Sequence, residues 1–291
     1  MGEKIVPTTL PEGWEKISLL EHFRGVAIAL LPSGLKKILK DAYKGIKDPN
    51  ILGGQFNRTI GGVDTTFVIS NESDLNRIVS DFESEREFGD TLITTVRQTP
   101  HPVFVDIGSA QGIYAIPAGI VGAEVHAYDP DPIMADSFKK NLQLNSLAAG
   151  RVRFHNQAIG DTEGTMVFYT DPRGNQPSSH VRTVKEQTFR IEAPVLTLDN
   201  LVNDGVIPAP DIIKIDTEGA EHLVLQGMRR LLKSEVRPEH IFIEIHQGYL
   251  PKFGSNASEV VALIEKAGYA LHPGHFWKRR KELLCHFEIP Q

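Results

Sequence analysis

Carboxylates close three apolar runs of this chain: Asp106 after Val103-Phe104-Val105, Asp129 after Val125-His126-Ala127-Tyr128, and Asp216 after Ile212-Ile213-Lys214-Ile215. In an open α/β sheet the carboxyl ends of parallel strands converge on one edge, where ligands bind. Asp106 opens the pattern Asp-x-Gly-x-x-x-Gly, with Gly108 and Gly112 ahead of the apolar run Ile113 to Val121. That order reads as a buried strand, a tight turn and a helix start. Glycines allow close approach of backbone to a ligand, and a helix N-terminus adds free N–H groups beside the turn. Asp129 follows Gly112 by 17 residues, at the end of the next strand. An acid there can accept both hydroxyls of a ribose, so the pair points to an adenosine-containing cofactor.

The glycine spacing, the acid before the first glycine and the lack of a third glycine disfavour NAD and an oxidoreductase. No Gly-Lys-Ser/Thr phosphate loop occurs either. An acidic glycine loop repels pyrophosphate but suits a cofactor carrying an ammonium and a sulfonium. S-adenosylmethionine is such a cofactor, and a methyltransferase is the expected activity.

The elements that must position these residues alternate along the chain. Strands are expected at 103–107, 124–128, 152–154, 165–169, 211–216, 240–246, 269–271 and 283–289, and helices at 132–147, 220–232 and 257–267. Strand–helix repetition predicts an α/β fold: a doubly wound, mostly parallel sheet with helices on both faces. Glycine pairs at 53–54 and 61–62 beside Thr65-Thr66-Phe67-Val68-Ile69 predict a hairpin, and residues 70–96 read as helical. A soft boundary near 95 separates an N-terminal α+β appendage, 1–95, from a cofactor-binding core, 96–291. The appendage and the polar loop 171–190 are expected to shape an acceptor pocket, because loops on a shared core carry specificity. Residues 34–47 form a basic amphipathic pattern, read as a surface helix or as a peripheral contact with an anionic membrane.

The 291 residues carry 31 Lys plus Arg against 37 Asp plus Glu, a net charge of −6, which argues against a nucleic-acid partner. The Asp/Asn-Pro-Pro-aromatic motif of base-reading methyltransferases is absent. A single cysteine, Cys285, excludes an internal disulfide and a cysteine-based zinc cluster. With no apolar run near the roughly 20 residues that span a bilayer, and no evident signal peptide, a cytoplasmic location is expected.

The chain resembles the FkbM family of class I S-adenosylmethionine-dependent methyltransferases. The resemblance is carried by Phe104-Val105-Asp106-Ile107-Gly108 with Gly112, by Ala127-Tyr128-Asp129-Pro130, by Gln157-Ala158-Ile159-Gly160-Asp161 with Gly164, and by Val195-Leu196-Thr197-Leu198-Asp199. It is strongest at Ile213-Lys214-Ile215-Asp216-Thr217-Glu218-Gly219-Ala220-Glu221, with Leu225 and Gly227, and at Glu244-Ile245-His246. It implies a seven-stranded, Rossmann-like sheet whose last strand is antiparallel. It implies cofactor contacts from Asp106, Gly108, Ser109 and Gly112, ribose contact from Asp129 with Pro130, and adenine-side contacts from Gln157 and Ala158. An acidic position ahead of the first strand matches Glu85 or Glu87, of which Glu87 is adopted. The family often has Ala-Asn where this chain has Ser109-Ala110, and Glu where it has Asp129.

By the same analogy Asp216 and Glu218 lie beside the transferring methyl group. With His246 they are the candidate catalytic residues for an O-methyltransferase acting on a hydroxyl of a sugar, glycolipid or polyketide-like molecule. A hydroxyl becomes a competent nucleophile when a base takes its proton, and His246 has the unperturbed pKa nearest neutral. Structural readings stay open beside these: Glu218 and Glu221 as first-turn helix acids, His246 as a strand-end hydrogen bonder, Asp129 as a turn former. A divalent metal on Asp216, Glu244 and His246 is an alternative that is not adopted. The remaining histidines show no ligand spacing and are expected to be surface or core residues. Competing functions are a catalytically silent cofactor-binding scaffold and transfer to nitrogen.

Overall fold

The computed structural model describes residues 53–70, 74, 77–78, 82–170, 189–279 and 282–290. The basic segment 34–47 and most of the polar loop 171–190 lie outside them. A seven-stranded sheet forms the centre, in the order β11-β12-β10-β9-β3-β4-β5. Its strands are β3 (Val103–Ile107), β4 (Glu124–Tyr128), β5 (Val152–His155), β9 (Ile212–Ile215), β10 (His240–His246), β11 (Ala270–Arg279) and β12 (Glu282–Glu288). From β5 to β10 neighbours run parallel, and β12 pairs antiparallel with both β10 and β11. This is the doubly wound sheet that the strand–helix alternation predicts, with the antiparallel final strand that the family resemblance implies. The central strands are almost continuously apolar because helices cover both faces; all four residues of β9 are buried.

The covering helices are α1 (Phe82–Gln98), α2 (Ala115–Ile120), α3 (Pro132–Leu144), α4 (Leu198–Asn203), α5 (Glu221–Gly227) and α6 (Ala257–Lys266). Local chemistry sets their starts. Asp131 caps α3 by accepting a hydrogen bond from Ile133 N, with Pro132 in the first turn, and Thr197 and Asn256 cap α4 and α6 in the same way. The helix expected over 220–232 stops at Gly227, and Leu231–Lys233 follows as a single 3₁₀ turn.

Two features differ from the simple alternation. First, β6 (Ala158–Ile159), β7 (Gly164–Thr170) and β8 (Phe189–Leu196) form a separate three-stranded sheet in the order β6-β8-β7. The strand expected at 165–169 therefore pairs with β8 and not within the main sheet. Second, the hairpin β1 (Gln55–Ile60) and β2 (Val63–Val68) and helix α1, all within the segment 1–95, pack on the core. Asn145 brackets Thr66, accepting from its N–H and donating to its carbonyl, and Asn141 accepts from Val68 N. Phe88 of α1 meets Phe242 and Trp277 edge-on.

The sheet also gathers histidines whose sequence spacing gives no ligand signal. His240, His272, His275 and His286 come from three adjacent strands, and the rings of His272, His275 and His286 stack on one another. Among the described residues no helix is long and apolar enough to cross a membrane.

Candidate active site

Register brings the strand-end carboxylates together. Ile107 is level with Ile215 of β9 and Tyr128 of β4, and Ile215 is level with Ile243 of β10. Residues one step further on, Gly108, Asp129, Asp216 and Glu244, therefore share one sheet edge. Gly108 takes φ +78°, and a Cβ there would stand 1.8 Å from the Asp216 carbonyl oxygen, so only glycine permits this contact.

A cavity of about 240 Å³ opens above this edge. Of the residues singled out in the sequence, Gly108, Ser109, Asp129, Pro130, Gln157, Ala158, Asp216, Glu218 and His246 lie on its wall. Three do not, and each has a physical reason. Asp106 is fully buried below the loop, facing Lys214 Nζ at 3.5 Å. Gly112 is backed against Phe138 and Ile116. Glu87 is exposed and accepts a hydrogen bond from Trp277 Nε1. Two residues along a helix turn the side chain by about 200°, so Glu85, not Glu87, reaches the cavity. There it accepts from Tyr114 Oη at 3.0 Å and pairs with Arg279.

At one end of the cavity Asp129 uses one lone pair on each oxygen, accepting from Ala110 N and Asp131 N, both at 2.9 Å. Burial pushes its pKa up to about 6. A carboxylate has about four acceptor positions, so two remain for a vicinal diol. Ser109 Oγ is buried without a hydrogen-bond partner on the same wall. Met166 and Phe168 of β7 and Val195 of β8 supply an apolar side. S-adenosylmethionine, the cofactor of the family that the sequence resembles, fits this donor and acceptor set: a diol acceptor at Asp129, an apolar wall for a purine, and carboxylates for its cationic end.

At the other end His246 is enclosed by acids. Its Nδ1 meets Glu221 Oε1 at 2.8 Å, and its Nε2 lies 3.5 Å from Glu218 and 3.7 Å from both Asp216 and Glu244. Burial opposes its charging, but the Glu221 hydrogen bond and the neighbouring carboxylates hold its pKa well above the ordinary value. His246 is therefore an imidazolium at neutral pH. The expectation that it is the group poised near neutrality is corrected: burial pushes Glu218 up to about 7 instead, against the pull of His246. Burial also acts to raise Asp216, yet Lys214 Nζ at 3.1 Å and His246 keep it ionised below the usual range. Burial, with Asp216 and Glu85 beside it, pushes the pKa of Glu244 well above the usual range. Asp216, Glu244 and His246 offer ligand atoms within 4.8 Å of one another, the set considered for a metal.

Several contributors are not evident in sequence. Glu221 reads as a first-turn acid, but it is fully buried and also accepts from Gly219 N at 2.9 Å. Lys214 stands inside the strongest motif, and strand alternation places it on the same face as Asp216. Arg279 comes from the tail, where no motif marks it.

A family model described as "Methyltransferase FkbM domain" matches residues 106–271, more than half of the chain. The chain is 27% identical over 193 residues to the hexuronic acid methyltransferase AglP of Haloferax volcanii, a match covering 66% of this chain and 75% of that protein. It is 25% identical over 206 residues to the 31-O-demethyl-FK506 methyltransferase FkbM of Streptomyces tacrolimicus, covering 60% and 75% respectively. A crystal structure of the methyltransferase FkbM from Methylobacillus flagellatus KT superposes with a TM-score of 0.45 at 18% identity, over 64% of this chain and 43% of that one. With that family model matching residues 106–271, the chain belongs to the FkbM methyltransferase family.

Proposed function

We propose that the protein is an O-methyltransferase that moves the methyl group of S-adenosylmethionine to a neutral hydroxyl of a sugar, glycolipid or polyketide-like acceptor. The observation that carries this reading is Glu218: a carboxyl group on the cavity wall, poised near pH 7, beside the ionised Asp216 and the His246 imidazolium. The bound cofactor supplies a sulfonium methyl group as the electrophile. Asp129 and Ser109 would hold its nucleoside end, and Asp216 would face its positive charge. Glu218 would take the hydroxyl proton of the acceptor as its oxygen gains the methyl group and the S–C bond gives up its electron pair to sulfur. The products are a methyl ether, S-adenosylhomocysteine and a protonated Glu218. His246, fixed from behind by Glu221, is a cationic donor that orients Glu218 and the acceptor oxygen.

The two named relatives act on a hexuronic acid and on a demethylated FK506, as their names state. The carboxylate-rich wall favours a neutral hydroxyl over a carboxylate as the acceptor here, because a second anion beside Asp216 meets like charge.

Calorimetric titration with S-adenosylhomocysteine, with NADH as the control, tests the cofactor half. Saturable binding of the former alone, lost in a folded Asp129→Ala variant, is expected. A folded protein that binds only NADH sinks the proposal. Screening neutral glycans and macrolactone alcohols against uronic acids then tests the acceptor class.

A further inference from the structure

The histidine-rich end of β10, β11 and β12 carries a second site. We propose that His240, His286 and Glu288 bind a first-row divalent transition-metal ion, of which Zn²⁺ is the representative, with His275 orienting His286 from behind and His272 within reach as a further donor.

The register assembles the set. His240 stands directly opposite Glu288, and His286 opposite Phe242. Alternation puts all four side chains on one face of the sheet. The ligand atoms of His240, His286 and Glu288 lie within 4.8 Å of one another. His240 Nδ1 and His286 Nε2 are 3.0 Å apart. Two imidazoles on a tetrahedral ion with bonds of about 2.05 Å would have their nitrogens roughly 3.4 Å apart, so a small outward shift seats the ion.

A second shell is also present. His286 Nδ1 lies 2.9 Å from His275 Nδ1. When His286 donates its Nδ1 proton there, its Nε2 lone pair is left facing His240 and Glu288, the arrangement that partners of metal-bound histidines impose. Phe242 stacks on the His286 ring at 4.0 Å and 8°, so the buried ring has a fixed floor. The register of β11 shifts between Leu271 and Phe276, and Gly274 within that bulge takes φ +82°. The bulge brings His272 and His275 over the pair, with His272 Nε2 3.8 Å from Glu288 Oε1.

Two nitrogens and one carboxylate oxygen suit Zn²⁺, Co²⁺ or Ni²⁺ better than Mg²⁺ or Ca²⁺. His240, His272 and Glu288 are partly exposed, which gives an ion a path in. The site is separate from the cavity: His240 begins β10 and His246 ends it, about 20 Å apart at the rise of a strand.

The test is titration of the tag-free, chelator-stripped protein at pH 7.5 with Co²⁺, followed by its visible absorption, and then competition with Zn²⁺. One saturable equivalent is expected. It should persist in His246→Ala, weaken by more than about tenfold in His240→Ala and in Glu288→Gln, and weaken by about tenfold in His275→Ala. Zn²⁺ should raise the melting temperature of the wild type but not of Glu288→Gln. No saturable Co²⁺ binding by the folded wild type overturns the proposal. So does binding that survives in folded His240→Ala and Glu288→Gln, or that disappears in His246→Ala.

Discussion

At Glu218 a proton-accepting side chain is held on a backbone that resists it. Its φ is +53°, in the left-handed region, and its carboxyl group titrates near 7. Outliers of this kind cost about 1–3 kcal/mol and concentrate where function demands them. Two outcomes are expected at this scale. Glu218→Gln should lower kcat by about a hundredfold or more and remove the limb near pH 7 from kcat/KM, below which wild-type activity falls as Glu218 becomes protonated; a pH–rate profile reads both. Glu218→Gly should lose activity yet raise the unfolding free energy by about 1 kcal/mol, as left-handed strain is released, which denaturant unfolding measures. The sign of the linkage agrees: a folded pKa raised above the usual 4.5 gives stability that is present at low pH and lost as pH rises through about 7. Gly108, Asp129 and Asp216 were legible in the sequence because strand, turn and acid are local neighbours. The proton-transfer assignment was not, because the acids that charge His246 arrive from β9, α5 and β10 only after folding.

Elements position this chemistry through backbone contacts that tolerate no side chain. Gly227, the last residue of α5, stands so close to the β6 turn that a Cβ would fall 1.8 Å from the Gly160 carbonyl oxygen. The sequence shows this glycine only as part of a family motif; the reason is the seating of α5, which carries Glu221, against the small sheet. Gly227→Ala is expected to destabilise the fold by about 1–3 kcal/mol and to weaken cofactor binding with it, as read by denaturant unfolding and calorimetry. The centre of the main sheet was legible because β3, β4 and β9 are apolar runs closed by acids. The β6-β8-β7 sheet was less so: β8 begins just beyond a polar segment, and its pairing with β7 is nonlocal. That Glu85 and not Glu87 lines the cavity was hidden for a related reason, since the rotation of α1 relative to the sheet is set by Phe88 packing on Phe242 and Trp277. The histidines of β11 and β12 were invisible as a group because a strand register and a bulge, not their spacing, bring them together.

On the scale of the whole molecule, the doubly wound sheet separates two chemistries along one strand. The carboxyl end of β10 opens into the acidic cavity, and its amino end carries the imidazole cluster. Glu85, Asp216, Glu218 and Glu244 line the cavity together with Lys214, His246 and Arg279, and Glu221 stands behind His246. Burial pushes Glu85 and Glu218 up to about 7 and raises Glu244 as well, so the cavity wall holds exchangeable protons. A cation entering it lowers those pKa values and drives protons into the solvent; an uncharged ligand of the same shape does not. Calorimetry near pH 7 in two buffers of different ionisation enthalpy should therefore show proton release on binding S-adenosylmethionine and little on binding S-adenosylhomocysteine. Discharge of the sulfonium in turnover would then leave the acceptor's proton on Glu218, so the proton that the reaction yields has already left at binding, and the grip on S-adenosylmethionine, not on its spent form, loosens as the solution becomes more acidic.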